Sequence, residues 1–123
     1  FIGNPRMNIV NCSNKNGQLS LGSNDIAKIS FSQPQTNIHK LGLRPEAIRV
    51  VASSKGILEG RISVCEYLGS EQLVYIDCGL EELLTVRLKP SDQLHEGENV
   101  GITFDISDAH FFDSVGQRLN EKS

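Results

Sequence analysis

Apolar residues in this chain recur at every second position, in short runs broken by Gly, Pro, Asn and Asp. A period of two is that of an extended strand, whose side chains alternate between faces. The clearest run is Leu58 to Cys78 (LEGRISVCEYLGSEQLVYIDC). Leu58, Gly60, Ile62, Val64, Glu66 and Leu68 fall on one, mostly apolar, face. Glu59, Arg61, Ser63, Cys65 and Tyr67 fall on the other. Gly69-Ser70 breaks the pattern and suits a two-residue type II′ turn, because Gly takes positive φ at little steric cost. A second strand then starts at Gln72. Glu66 sits awkwardly on the apolar face and requires a partner such as Arg44 or Arg87.

The same alternation predicts further strands along the chain. Met7 to Cys12 reads as the first, and Asn16-Gly17 as a type I′ hairpin turn. Leu19 and Leu21 alternate, Gly22 to Asp25 turns, and Ile26 to Phe31 is extended again. Ser32 to Asn37 is a polar loop. Leu41 and Leu43 are core candidates on a strand that stops near Arg44, because Pro45 has no N–H for a ladder. Glu46 to Ile48 makes one helical turn with Pro45 at its first position. Arg49 to Ala52 is extended and Ser53 to Gly56 is a loop. Leu84, Val86 and Leu88 alternate, as do Val100, Ile102, Phe104 and Ile106, on either side of a loop at Pro90 to Gly97. Asp108 to Asp113 is a short apolar-aromatic segment, and Asn120 to Ser123 a frayed end. About eight or nine short strands with regular turn signals and no long helical period predict an all-β barrel or sandwich.

Length and composition narrow the picture. At 123 residues the chain is a single domain, 1–123, long enough to bury a core. Starting at Phe1 rather than Met, it reads as a fragment. The net charge of −3, two Tyr, five Phe and no Trp argue against a nucleic-acid surface of stacked aromatics on a basic groove. No apolar run is long enough to cross a membrane, and no signal peptide is present. Cys12, Cys65 and Cys78 are odd in number and lack metal-ligand spacing, which fits reduced thiols.

Motifs for chemistry are absent. There is no phosphate-cradling P-loop and no Gly-x-Ser-x-Gly elbow; Gly56 to Arg61 has the wrong spacing. His39 and His95 read as surface or capping residues, and His110, beside Phe111 and Phe112, as a packed aromatic. Asp105, Asp108 and Asp113 do not match a calcium loop. Arg44-Pro45-Glu46 stands out as a charged pair flanking a Pro at a strand end. There Arg44 can fork onto a carboxylate or onto strand-end carbonyls as an intradomain clamp.

Together these stretches resemble a known family. Phe1-Ile-Gly-Asn-Pro-Arg-Met-Asn8, Leu41-Gly-Leu-Arg-Pro-Glu46, Glu66-Tyr-Leu-Gly-Ser-Glu71 followed by Leu73-Val-Tyr75, and His110-Phe-Phe-Asp113 followed by Gly116 and Arg118-Leu119 appear in order. They resemble the C-terminal regulatory (TOBE) domain of ATP-binding subunits of carbohydrate or glycerol-3-phosphate ABC importers. The resemblance covers nearly the whole chain, departing at Asn4 (often Ser) and Ala47 (often His).

The resemblance implies an OB-like barrel that regulates and tethers. Its implied partners are a second copy of the subunit, an upstream nucleotide-binding domain, the transporter's membrane subunits through that domain, and a cytosolic regulator, with no nucleic acid. The implied location is cytoplasmic, peripheral to the inner face of the membrane. No cofactor is expected in this fragment; ATP and Mg would bind the full-length subunit upstream, so the chain alone is no enzyme. Arg44, Pro45, Glu46, His110, Phe111 and Asp113 are the candidate partner or structural residues. An alternative is an oxyanion- or sugar-binding module, with cations converging near Gly42, Arg44 and Lys89.

Overall fold

A computed structural model describes residues 6–15, 17–22, 27–30, 37–90 and 93–119. Every regular element among them is a strand or a short 3-10 turn. The strands are β1 (Asn8–Lys15), β2 (Gln18–Leu21), β3 (Ala27–Ser30), β4 (Lys40–Leu43), β5 (Arg49–Val51), β6 (Leu58–Tyr67), β7 (Gln72–Asp77), β8 (Leu84–Leu88), β9 (Asn99–Thr103) and β10 (His110–Phe112). They form two five-stranded antiparallel sheets, ordered β10-β4-β1-β2-β3 and β5-β9-β6-β7-β8. The all-β expectation holds. The tenth strand is the apolar-aromatic segment after Asp108, too short to show a period of its own but paired along β4.

Turn chemistry places most corners where the sequence does. Lys15 pairs with Gln18, so the first hairpin has a two-residue loop, and Gly17 takes φ +75°. Asn16 lies outside the described residues. So do Phe1 to Pro5, Ser23 to Ile26, Phe31 to Thr36, two residues of the Pro90–Gly97 loop, and Asn120 to Ser123. Gly69 has φ +78°, and the Leu68 N–H donates to the Glu71 carbonyl across that turn at 2.8 Å. Pro45 opens a 3-10 turn, Pro45–Ala47, directly after β4.

One core lies between the sheets. Val10, Leu19, Leu21, Leu41, Leu43 and Phe111 of the first sheet meet Leu58, Ile62, Val74, Ile76, Val86 and Ile102 of the second, all buried. Burying apolar side chains of this size contributes roughly 1.5–3 kcal/mol each. Cys12 and Cys78 belong to this core as free thiols. Burial pushes both up to about 12.

The second sheet departs from strict alternation at one point. The β6–β7 register shifts between Ile62 and Val64, so one extra residue enters β6. A bulge of this kind flips every later side chain to the opposite face. Val64 becomes exposed at 41%, while Cys65 turns inward, with its Sγ 3.7 Å from the Leu94 carbonyl. Glu66 therefore never enters the core. It is exposed and accepts a hydrogen bond from Tyr75 Oη at 2.8 Å. Arg87, one partner expected for Glu66, binds Glu71 (3.2 Å) and Glu46 (3.7 Å) instead.

The sheets are also joined by a single side chain. Asn8, 8% exposed, donates from Nδ2 to the carbonyls of Leu43 (3.1 Å) and Thr85 (2.9 Å). Its Oδ1 accepts from the Thr85 N–H (2.8 Å). The Asn8 amide thus stands in for the peptide group of a strand alongside β8.

Candidate functional site

The register of β4 and β10 decides which candidate residues meet. His110 pairs with Gly42, Phe111 with Leu41 and Phe112 with Lys40. On the other side of β4, Ile9 pairs with Gly42 and Asn11 with Lys40. Opposed residues share a face. Phe111 and Leu41 thus point into the core, while Lys40, Gly42, Ile9, His110 and Phe112 form the outer face. Arg44 continues β4 in extended geometry (φ −73°, ψ 146°), on the side of Gly42.

Asp113 adds Arg118 to that face. Its Oδ1 accepts from the N–H groups of Val115 (3.1 Å) and Gln117 (2.8 Å), closing a tight turn. The returning chain bridges Arg118 to Phe112, and the Leu119 N–H donates to the Phe111 carbonyl at 2.8 Å. Arg118 therefore lies on the face of Phe112 and His110.

Gly42 is what lets this face be smooth. A Cβ there would collide with Met7 Sδ and meet Phe112 Cε2 at 3.0 Å. Met7 and Phe112 thus lie across β4, an apolar strip between cations. Lys40 Nζ donates to the amide oxygen Oδ1 of Asn11 at 2.8 Å, a neutral partner. Arg44 and Arg118 make no ion pair among the described residues. Their positive charge is felt by His110, which titrates below the ordinary histidine value. Partial burial is the largest cause, then Arg118 and Arg44, while Asp108 opposes them.

Of the six candidate residues, the structure brings only Arg44 and His110 together on one surface. Pro45 is buried at the start of its 3-10 turn, Phe111 is core at 1% exposure, and Asp113 builds the turn. Among the described residues Arg44 takes no carboxylate partner, and Glu46 pairs with Arg87. Lys40, Met7 and Arg118 join the face without having been singled out as site residues. The signal for Lys40 was present, since Lys40, Gly42 and Arg44 are spaced as one strand face. Of the positions named for an anion site, Gly42 and Arg44 lie on β4 and its extension and Lys89 at the end of β8. Gly42 lies between two ladders under Met7 and Phe112, and Lys89 follows β8 in the other sheet.

A concavity of about 530 Å³ runs between β1 and the turn before β8, with Ile9 and Leu83 exposed along it. Its polar walls are partly bonded within the protein, through Asn8 to Thr85 and Lys40 to Asn11. Among the described residues, no three His, Cys, Asp or Glu are grouped to hold a metal ion, and no helix is long and apolar enough to cross a membrane.

Comparison with known proteins adds sequence relatives. The TOBE domain family matches residues 41–112. An uncharacterised ABC transporter ATP-binding protein of Escherichia coli (strain K12) is 32% identical over 121 residues, covering 93% of this chain and 33% of that protein. The sn-glycerol-3-phosphate import ATP-binding protein of Psychromonas ingrahamii is 33% identical over 121 residues, covering 93% of this chain and 32% of its own length. Its counterpart in Paracoccus denitrificans is 31% identical over 122 residues, covering 98% and 34%. The chain spans about a third of the length of these curated relatives.

Proposed function

This chain belongs to the TOBE domain family, and on that premise we propose that it is the regulatory and dimer-tethering domain of an ATP-binding subunit of a carbohydrate or glycerol-3-phosphate importer. The observation that carries the reading is its similarity, over more than nine-tenths of its length, to only about a third of each ATP-binding relative. In this reading the remaining length is an upstream nucleotide-binding domain, which binds ATP and Mg and docks on the membrane subunits at the inner face of the membrane. The chain itself supplies no chemistry.

Tethering has a plain physical purpose. Two ATPase domains that separate in each cycle must find each other again. A lasting contact between their regulatory domains holds them at an effective concentration of about millimolar. ATP binding at the upstream interface then drives closure. A cytosolic regulator that docks preferentially on the open arrangement slows transport by population shift, which takes a differential affinity of a few kcal/mol.

The test compares the full subunit with a version lacking this segment, by sedimentation velocity without nucleotide and by ATPase activity of the assembled transporter. Loss of the nucleotide-free dimer on deletion is expected. Unchanged dimerisation and unchanged control of the ATPase would remove the reading.

A further inference from the structure

We infer that the outer face of the first sheet, centred on Lys40, Arg44, His110 and Arg118, is a docking surface for an acidic segment of a partner protein. The inference deepens the regulatory reading above and rests on it, by giving the chemistry of the regulator. Three observations carry it. The first is charge left over. Glu46, the carboxylate next to Arg44 in sequence, is drawn away to Arg87, and Arg44 and Arg118 enter no ion pair among the described residues. A chain of net charge −3 thus gathers positive charge on this face, where Asp108 is the carboxylate that acts on His110 among the described residues. Such a surface attracts and orients acidic partners.

The second observation is apolar relief. Met7 and Phe112 lie over Gly42 between the cations, and Ile9 next to them is 45% exposed. Charged groups around a central apolar strip are the usual arrangement of a protein-binding patch. The third is spacing. Lys40 and Arg44 are four residues apart along β4 and its extension, roughly 14 Å at strand rise, and Arg118 lies to the side of β4, bridged to Phe112 of β10. Charges so spread suit several carboxylates along one segment better than one compact anion. Nucleic acid fits less well, since Phe112 is the one phenyl ring on this face among the described residues and the molecule is acidic overall.

The probe is a twelve-residue peptide of Glu interspersed with Leu, with a counterpart in which every Glu is Gln. Binding to the chain is followed by amide chemical shifts and calorimetry. The expected result is that the Glu peptide shifts resonances of β4 and β10 and binds more weakly as salt rises, while the Gln peptide does not bind. Arg44→Glu with Arg118→Glu weakens binding about tenfold or more, and Arg44→Lys with Arg118→Lys keeps most of it. Both arginines are exposed, and a thermal melt of each variant confirms the fold. Equal binding of the Gln peptide, indifference to the double reversal, or inorganic phosphate reproducing the whole response at these residues would overturn the inference. Tighter binding of single-stranded DNA at the same residues would overturn it as well. Sedimentation of full-length subunits carrying the same variants separates the two proposals: loss of peptide binding with the dimer retained leaves tethering intact.

Discussion

At the scale of single residues, the least expected contributor is Asn8. Its amide satisfies the N–H and C=O of Thr85 and the carbonyl of Leu43. Asn8→Ala leaves these groups partly buried without that partner, and each buried orphan costs about 1–3 kcal/mol. Urea denaturation is therefore expected to show a loss of about 2–4 kcal/mol; a loss within error would mean water replaces the amide. The sequence marks Asn8 only as the end of the Phe1 to Asn8 motif and not its role, because its partner lies 77 residues away and a side chain imitating backbone has no period. His110 gives a second prediction. Its ring is held below the ordinary histidine value by partial burial, then by Arg118 and Arg44, against Asp108. A base whose folded value is depressed contributes stability present above its unfolded value of about 6.5. That contribution is lost as pH falls through the folded value. Arg118→Gln should raise the His110 midpoint in an NMR titration; no movement would place Arg118 away from the ring. The thiols give a third. Cys12 and Cys78, raised to about 12 by burial, should resist alkylation at pH 8 until the protein unfolds. Cys65 is also raised, by burial and by Glu96 and Glu98, but is only half-buried and should react slowly in the native protein.

At the scale of elements, alternation carried most of the strands. Nine of them follow from runs such as Leu84-Val86-Leu88, and the turns from Gly17 and Gly69. What alternation could not convey is the extra residue in β6. A bulge adds one position without changing composition, so Val64 and Glu66 read as inward and Cys65 as outward until the register to β7 is known. The site shows the same division. The spacing of Lys40, Gly42 and Arg44 marks one strand face, but that β10 lies beside β4, some 70 residues later, is a matter of long-range pairing. Another element-level constraint is the crossing of β9 with the Ala52–Gly56 segment. A Cβ on Gly101 would strike the Ala52 carbonyl oxygen and lie 3.0 Å from the Gly56 nitrogen. Backbone cannot yield as a flexible side chain does, so Gly101→Ala is expected to cost about 2–3 kcal/mol in denaturant unfolding. Gly69→Ala meets no atom within 4 Å, yet is strained by its positive φ.

At the scale of the whole molecule, charge is unevenly divided along the chain. Residues 1–48 carry five Lys or Arg against two Asp or Glu, a net of +3, and residues 49–123 carry seven against thirteen, a net of −6. The first sheet is built mostly from the former and the second wholly from the latter. The molecule therefore has a dipole, with the cationic outer face at its positive end. Association steered by that dipole should slow steeply with ionic strength over the Debye range of about 8–10 Å. Stopped-flow rates for the acidic peptide at two salt concentrations would show this, and a salt-independent on-rate would mean that the dipole plays no part. The Asn8 clamp has a mechanical consequence as well. Tension entering the chain at Arg6 reaches β1 at its first residue, the one whose side chain holds β8. Under load the side-chain bonds of Asn8 would rupture before the long β1–β2 and β1–β4 ladders are sheared. The domain would then yield in two steps, opening at a seam between the sheets while each sheet stays whole.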